Sequence, residues 1–335
     1  MQQTRQRIIW LFFLILTGCG VARTGTPVAE TAVIPLPLPA PLNAPNAELS
    51  GLAWAGDWLI LLPEEPGFDD TEPAIYALPR QQIIDHLAQP TAVPLQPIMI
   101  PLHLGDLPTK IPNFGSLEAV AFRGQTAVFL VETSTMRHTS GYLVRGELAA
   151  DMSELRLETA LITPLPRQTP IRNIAYEALF WADDQIVVLY EANGVEQNPT
   201  AQALLFDEQL QPVGELPMPN VPYRLTDMTE LGENGRLWAT NYFFPTEYYL
   251  NSRHDPLGER FGWGTTHQQQ RAVERLVAFT YQNGSLTLDD VPPIQLQLSD
   301  GPSRNWEGIA QLGDQGFLLA TDRYPETIFA FAPMP

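Results

Sequence analysis

The strongest constraint on this chain is an internal repeat. Five segments begin with a small or acidic residue and continue with alternating apolar positions: Ser50–Trp54, Glu118–Phe122, Glu177–Trp181, Thr226–Leu231 and Glu307–Leu312. Each is followed by a short turn and a strongly apolar run, at Trp58–Leu62, Ala127–Val131, Ile186–Tyr190, Leu237–Thr240 and Phe317–Thr321. Such a pair reads as a β-hairpin. A fixed period of this kind belongs to arrays of one supersecondary unit, because a single hairpin cannot bury its apolar face alone.

Each hairpin gains a third strand candidate, at Ala74–Leu78, Gly141–Val144, Ala203–Phe206, Arg275–Thr280 and Thr327–Phe331. Fourth strands read as proline-flanked alternating runs at Pro97–Leu104, Leu155–Ile162, Val213–Met218 and Ile294–Leu298. Proline suits an outer edge, where a missing backbone donor costs little. The fifth repeat lacks a fourth strand, but Val33–Leu38 near the start has the same look. Pairing it with the last repeat would close a ring and remove the open edge. The expectation is an all-β, five-bladed β-propeller of four-stranded blades over residues 32–335, the last blade closed by an N-terminal strand; the alternative is an irregular β-sandwich. Composition agrees: 44% hydrophobic residues with 32 prolines and 23 glycines fit short strands and tight turns.

In such a ring the leading residues Ser50, Glu118, Glu177, Thr226 and Glu307 converge on one end of the axis. Carboxylates crowded there repel one another, so either their pKa values rise or a cation sits among them. Oxygen ligands without histidine or cysteine favour a hard ion, and a roomy ring suits Ca2+ better than Mg2+. The alternative is a water-filled pore with hydrogen-bonded or protonated glutamates. Glu64, Glu132 and Glu191 stand 14 residues after the first three leading positions, and Asn241 and Asp322 stand 15 after the last two, so they should surround the same mouth farther out. Arg172, Asn173, Arg224, Arg304, Asn305 and Arg323 flank the leading positions and are candidates for binding an anionic small molecule. Structural pairing with the surrounding acids is the competing reading for these arginines. The insertion from Asn241 to about Arg271 holds Tyr242, Phe243, Phe244, Tyr248, Tyr249, Phe261 and Trp263 and is expected to overhang the mouth as a lid or docking surface, the alternative being a packed loop.

The N-terminus carries Arg5 and Arg7, an apolar run Ile8–Leu16, and Leu16-Thr17-Gly18-Cys19 with the only cysteine of the chain. This layout is that of an export signal. It resembles the lipobox of bacterial lipoproteins, which implies a signal peptide at 1–18, lipid on Cys19, a tether over 19–31 and an extracytoplasmic protein anchored at a membrane surface. Removing residues 1–18 takes the formal charge from −19 to −21. That excludes nucleic acid as a natural partner; the chain is expected to be a monomer.

The leading-residue order also resembles the calcium-activated nucleotidases (soluble apyrases), five-bladed propellers with axial calcium held in the order Ser, Glu, Glu, Ser, Glu. Glu307-Gly308-Ile309-Ala310 and Ser50-Gly51-Leu52-Ala53 are similar to phytase-like (esterase-like activity of phytase) domains of secreted bacterial proteins. These resemblances imply a calcium-binding surface protein that takes an anionic small molecule or a partner on its top face, or alternatively a calcium-dependent phosphoester hydrolase. Pro63-Glu64-Glu65-Pro66-Gly67 replaces the nucleotidases' substrate-site stretch, which argues against nucleotide hydrolysis. No Gly-x-Ser-x-Gly elbow, His-Glu-x-x-His or P-loop is present, and no catalytic residue is assigned.

Overall fold

A computed structural model describes residues 23, 25–67, 72–136, 138–323 and 325–335. The signal expected at 1–18 and Cys19 lie outside the described residues. The chain is all-β. After a short β1 (Ile34–Pro35), it runs as successive antiparallel meanders: β2 (Leu49–Ala55), β3 (Trp58–Pro63), β4 (Ala74–Pro79) and β5 (Ile98–His103); β6 (Phe114–Arg123), β7 (Thr126–Ser134), β8 (Thr139–Leu148) and β9 (Leu155–Pro164); β10 (Tyr176–Ala182), β11 (Gln185–Tyr190), β12 (Gln202–Phe206) and β13 (Pro212–Pro217); β14 (Arg224–Met228), β15 (Arg236–Phe243), β16 (Val273–Gln282), β17 (Ser285–Leu288) and β18 (Ile294–Gln295); and β19 (Trp306–Leu312), β20 (Gly316–Thr321) and β21 (Phe329–Pro333). Short helices fill connections: α1 (Arg80–Ala88), α2 (Leu107–Lys110), α3 (Pro256–Phe261) and α4 (Thr265–Gln269).

The first strands meet in a circle, β2 against β6, β6 against β10, β10 against β14, β14 against β19, and β19 back against β2. Each gap between neighbouring sheets holds its own apolar core. Ile60, Ile75, Val120 and Phe129 fill the first gap, and Leu36, Trp54, Leu318 and Phe331 the last. Burial on both faces explains why β3, β11 and β20 read as nearly continuous apolar runs rather than as alternating ones. The N-terminal segment completes the last sheet: Ile34 pairs with Phe331 and Pro35 with Ala330, giving the order β1-β21-β20-β19.

Two features depart from a set of independent four-stranded sheets. β5 and β9 touch in parallel, Leu102 with Leu155 and His103 with Arg156, so the first two meanders merge into one eight-stranded sheet. In the fourth sheet the expected outer strand at 294–298 is only a two-residue pairing with Arg275 and Leu276, while β17 pairs with Phe279–Gln282. The turn Asn283-Gly284, with φ of 52° and 70°, brings the chain back at once and makes β17 the nearer partner.

The tether expected over residues 19–31 is shorter than that span. Val28 N–H donates to Trp263 O at 3.0 Å and Thr31 N–H to Gln295 O at 2.7 Å. The Arg23 guanidinium donates to the carbonyls of His267, Gln270, Arg271 and Ala272 and lies 3.8 Å over the Trp263 ring. Glu30 accepts from Thr266 N–H at 3.1 Å and meets His267 Nδ1 at 2.9 Å. Because Glu274 N–H donates to His267 Nε2, the ring proton belongs on Nδ1, a neutral imidazole. Burial pushes His267 down to about 4, and hydrogen bonds from His267 and Thr266 outweigh burial to hold Glu30 below its ordinary value. These contacts hold residues that composition alone reads as free.

Two outcomes follow. Gly308 leaves no room for a side chain, since a Cβ would lie 2.9 Å from Leu52 Cγ and 3.2 Å from Gly51 C across the ring. Gly308→Ala should therefore cost about 1–3 kcal/mol by overpacking, read as a lower urea midpoint with unchanged slope; an unchanged midpoint would contradict this packing. Docked, the Glu30 carboxyl is held below its ordinary value of 4.5 by His267 and Thr266 against the opposing effect of burial, so docking of residues 28–31 should weaken as pH falls through that value. Hydrogen exchange at the Thr266 and His267 amides, both bonded to Glu30, should then accelerate beyond the intrinsic pH dependence, and exchange that does not would show that Glu30 does not titrate with docking.

Candidate functional site

Every leading residue singled out in the sequence sits at a break in strand register. Pairing slips between Leu49 and Gly51, Leu117 and Ala119, Tyr176 and Ala178, Leu225 and Met228, and Trp306 and Gly308. Ser50, Glu118, Glu177, Thr226 with Asp227, and Glu307 are thus the unpaired residues of β-bulges. A bulge turns its extra residue out of the sheet's alternation and re-aims it.

Four of the five open into one cavity of about 450 Å³ at this end of the ring, lined by Ser50, Glu118, Glu177 and Glu307. Glu64, Glu132, Asn173, Arg224, Asn305 and Asp322 join them as expected, and the excursion after β15 adds Tyr242, Phe244, Thr246 and Glu247. Seven carboxylates and one guanidinium therefore share the cavity.

Thr226, expected in the ring, is spent elsewhere. Its Oγ1 is bonded to Trp306 O at 2.5 Å and to Thr240 Oγ1 at 2.9 Å. Ser50 Oγ likewise donates to Leu117 O at 2.5 Å, though Ser50 still lines the cavity. Each hydroxyl laces its strand to the carbonyl just before the next sheet's glutamate. The other bulged residue of β14, Asp227, turns inward and accepts from Ile309 N–H at 2.8 Å, Met228 N–H at 2.8 Å and Leu52 N–H at 3.4 Å. It ties β2, β14 and β19 together below the cavity.

The arginines do not form an anion site. Arg224 is buried, paired with Glu191 and Glu247, and its Nη1 lies 3.9 Å from Glu177 Oε1. Arg304 is buried against Glu274 and Gln297 O, away from the cavity. Arg172 is exposed and outside the lining, and Arg323, also outside it, pairs with Glu48 at 3.6 Å. Glu191 lies fully buried behind Arg224, and Asn241 is occupied by Pro222 O, Arg224 O and Arg275 Nε. The acids around Arg224 satisfy it because a guanidinium buried without partners would cost far more than the pairs cost to desolvate.

Electrostatics follow from this crowding. Burial, then the neighbouring carboxylates, push Glu118 and Glu177 well above the ordinary value; burial and Asp322 raise Glu307 to about 8, despite a 2.6 Å hydrogen bond from Tyr242 Oη. Glu64 rises to about 10 through burial and the charges of Glu118 and Asp322. Several oxygens meet no donor: Glu177 Oε2, Asn305 Oδ1 and Asp322 Oδ1 are buried and unpaired. Two carboxylates about 4 Å apart repel by roughly 4 kcal/mol at an effective dielectric near 20. Unpaired, hard, anionic oxygens that cannot all ionise alone are a donor set that fits a hard divalent cation. Glu48, Glu64 and Asp322 also bring one oxygen each within 4.8 Å of one another at the rim. Tyr242 and Phe244 belong to the insertion expected to overhang the mouth, whereas Thr246 and Glu247 carry no signal in the sequence because they follow β15 at positions outside the repeat.

At the opposite end of the ring a cavity of about 330 Å³ is lined by Trp54, Phe122 and Trp181 among others, with Arg80 stacked 3.7 Å over Trp54. Its carboxylate, Glu230, is raised to about 7 by burial.

The chain matches no family model and no curated protein. Solved structures with a distant likeness include an exo-1,5-α-L-arabinanase from a bovine ruminal metagenomic library (9% identity, 86% of this chain and 93% of that one, TM-score 0.47). A mutant α-L-arabinanase of Cellvibrio cellulosa (11% identity, 85% and 90%, TM-score 0.43) and a glucose dehydrogenase (13% identity, 88% and 98%, TM-score 0.43) are others. None of them assigns a reaction to this chain.

The raised acids fix a sign. Folded pKa values of about 8 for Glu307 and about 10 for Glu64, against an ordinary value of 4.5, mean that the folded state holds protons the unfolded chain has released. Stability of the metal-free protein should therefore fall as pH rises from 4.5 through those values. Denaturant midpoints taken in chelator across that range test it; a midpoint that rises with pH would mean the acids are not crowded as described.

Proposed function

We propose that this chain is a five-bladed β-propeller whose function is built on a divalent cation, Ca2+ by its donor set, held at the mouth of the ring by Glu118, Glu177, Glu307 and Ser50. The observation that carries this reading is the meeting of seven carboxylates with a single, already paired guanidinium in one cavity. Asn305 and Asp322, with unpaired buried oxygens, are the further donors. The anionic ligand expected from the flanking arginines would reach this site through the ion, since among the described residues the one guanidinium lining the cavity, Arg224, is already paired. A bound cation supplies the missing positive charge and an electrophilic centre for a phosphate or carboxylate group.

The protein in this reading is a lipid-anchored, extracytoplasmic binding module. A second reading, ester hydrolysis with the ion polarising a phosphoryl or acyl oxygen, is favoured by the acids outside the inner ring: Glu64 and Glu132 border the cavity where a water could be deprotonated.

Thermal unfolding with and without Ca2+ tests the reading. Ligation should add about 2.7 kcal/mol at a hundredfold excess over Kd, and Glu177→Gln should lose most of that gain while remaining folded without metal, because it removes a buried charge. Equal gains in both proteins would place the ion elsewhere. Turnover of p-nitrophenyl phosphate or acetate that needs Ca2+ and is lost in Glu177→Gln would favour the hydrolase; stabilisation without turnover favours the binding module.

A further inference from the structure

The path of the N-terminal segment and the side chains around the cavity's mouth together say which way the ring faces. α4 and its flanks belong to the excursion that leaves β15 at Phe243 and returns at Val273, two residues that pair at the mouth end. The same excursion supplies Phe244, Thr246 and Glu247 to the cavity. Arg23 is bound to the four carbonyls just before Val273. The chain therefore leaves the described structure from the end at which the acidic cavity opens. Cys19 is four residues farther out, a span of at most roughly 14 Å when extended.

Independent of that path, large apolar side chains stand exposed on the same end. Met136 (89% exposed), Val195 (59%) and Tyr248 (83%) sit at the tips of the connections after β7, β11 and β15, each a few residues beyond Glu132, Glu191 or Glu247. No core needs them there. Arg172, Arg253 and Arg271 are exposed on this end as well, interspersed with acids such as Glu196, 4.0 Å from Arg253. The loops of the opposite end carry Asp57, Asp183, Asp184 and Asp314 at their tips, with Val93 (65% exposed) on the connection from α1 to β5 and no exposed aromatic among the described residues there. An aromatic and apolar crown with arginines, beside a short N-terminal leash, is what an interfacial surface uses to sit among lipid headgroups.

We propose that the mouth end of the ring docks on a phospholipid bilayer, through Met136, Val195 and Tyr248, so that the cation site opens toward the headgroups rather than away from the membrane. This orientation rests on the anchored reading of Cys19, and the test separates the two. Mass spectrometry of the full chain purified from membranes decides whether Cys19 carries lipid. Orientation is then read by hydrogen–deuterium exchange on the chain held at Cys19 to vesicles of phosphatidylethanolamine and phosphatidylglycerol, by its own lipid or, if it has none, by coupling the thiol to a maleimide lipid. Backbone exchange at 135–138, 194–197 and 245–252 should slow several-fold relative to the chain in solution, exchange at 183–184 and 313–315 should not change, and Met136→Ser with Tyr248→Ser should abolish the slowing. Slowing at the opposite end, at neither end, or only when membrane proteins are added to the vesicles would overturn the proposal.

Discussion

A closed circle of first strands leaves room at its centre for little more than one side chain from each sheet, and this chain puts acids in most of those places. Register breaks at Ser50, Glu118, Glu177, Thr226–Asp227 and Glu307 re-aim those residues out of the strand alternation. Their hydroxyl and carboxyl groups divide the work. Ser50, Thr226 and Asp227 spend hydrogen bonds on neighbouring strands and hold the circle closed. Glu118, Glu177 and Glu307 are left lining one cavity.

What keeps that arrangement tolerable decides the chemistry. Arg224 neutralises its immediate neighbours Glu191 and Glu247 and lies near Glu177, but one positive charge cannot offset seven carboxylates. The remaining options are protonation or a bound cation. Protonation accounts for the upward pKa values, Glu307 near 8 and Glu64 near 10. It leaves the buried oxygens of Glu177 and Asp322 without donors, which a cation would satisfy. A site that is acidic when empty and cationic at its centre when filled binds anions only in the second state, which couples any ligand to the ion.

Much of this was legible in the sequence because the repeat fixes geometry. Constant spacing from a leading residue to the acid at the end of the second strand placed Glu64, Glu132 and Asp322 at the mouth with Glu118, Glu177 and Glu307, and the Val33–Leu38 run marked the segment whose Ile34 and Pro35 pair with β21. Side-chain direction was not legible. Asn241 sits at the repeat position of a ligand yet is drawn into backbone carbonyls, and Arg304 turns to Glu274 because that buried carboxylate lies closer than the cavity. Glu30 and His267 are 237 residues apart, so no local pattern could reveal that the expected tether is partly docked.

The most direct measurement is anomalous diffraction from crystals of the chain grown with Tb3+ in place of Ca2+. The account predicts a single strong peak within bonding distance of the Glu118, Glu177 and Glu307 carboxylates, with Ser50 or Asn305 completing the shell. Density for water alone among those carboxylates, or a peak only at Glu48, Glu64 and Asp322, would contradict it.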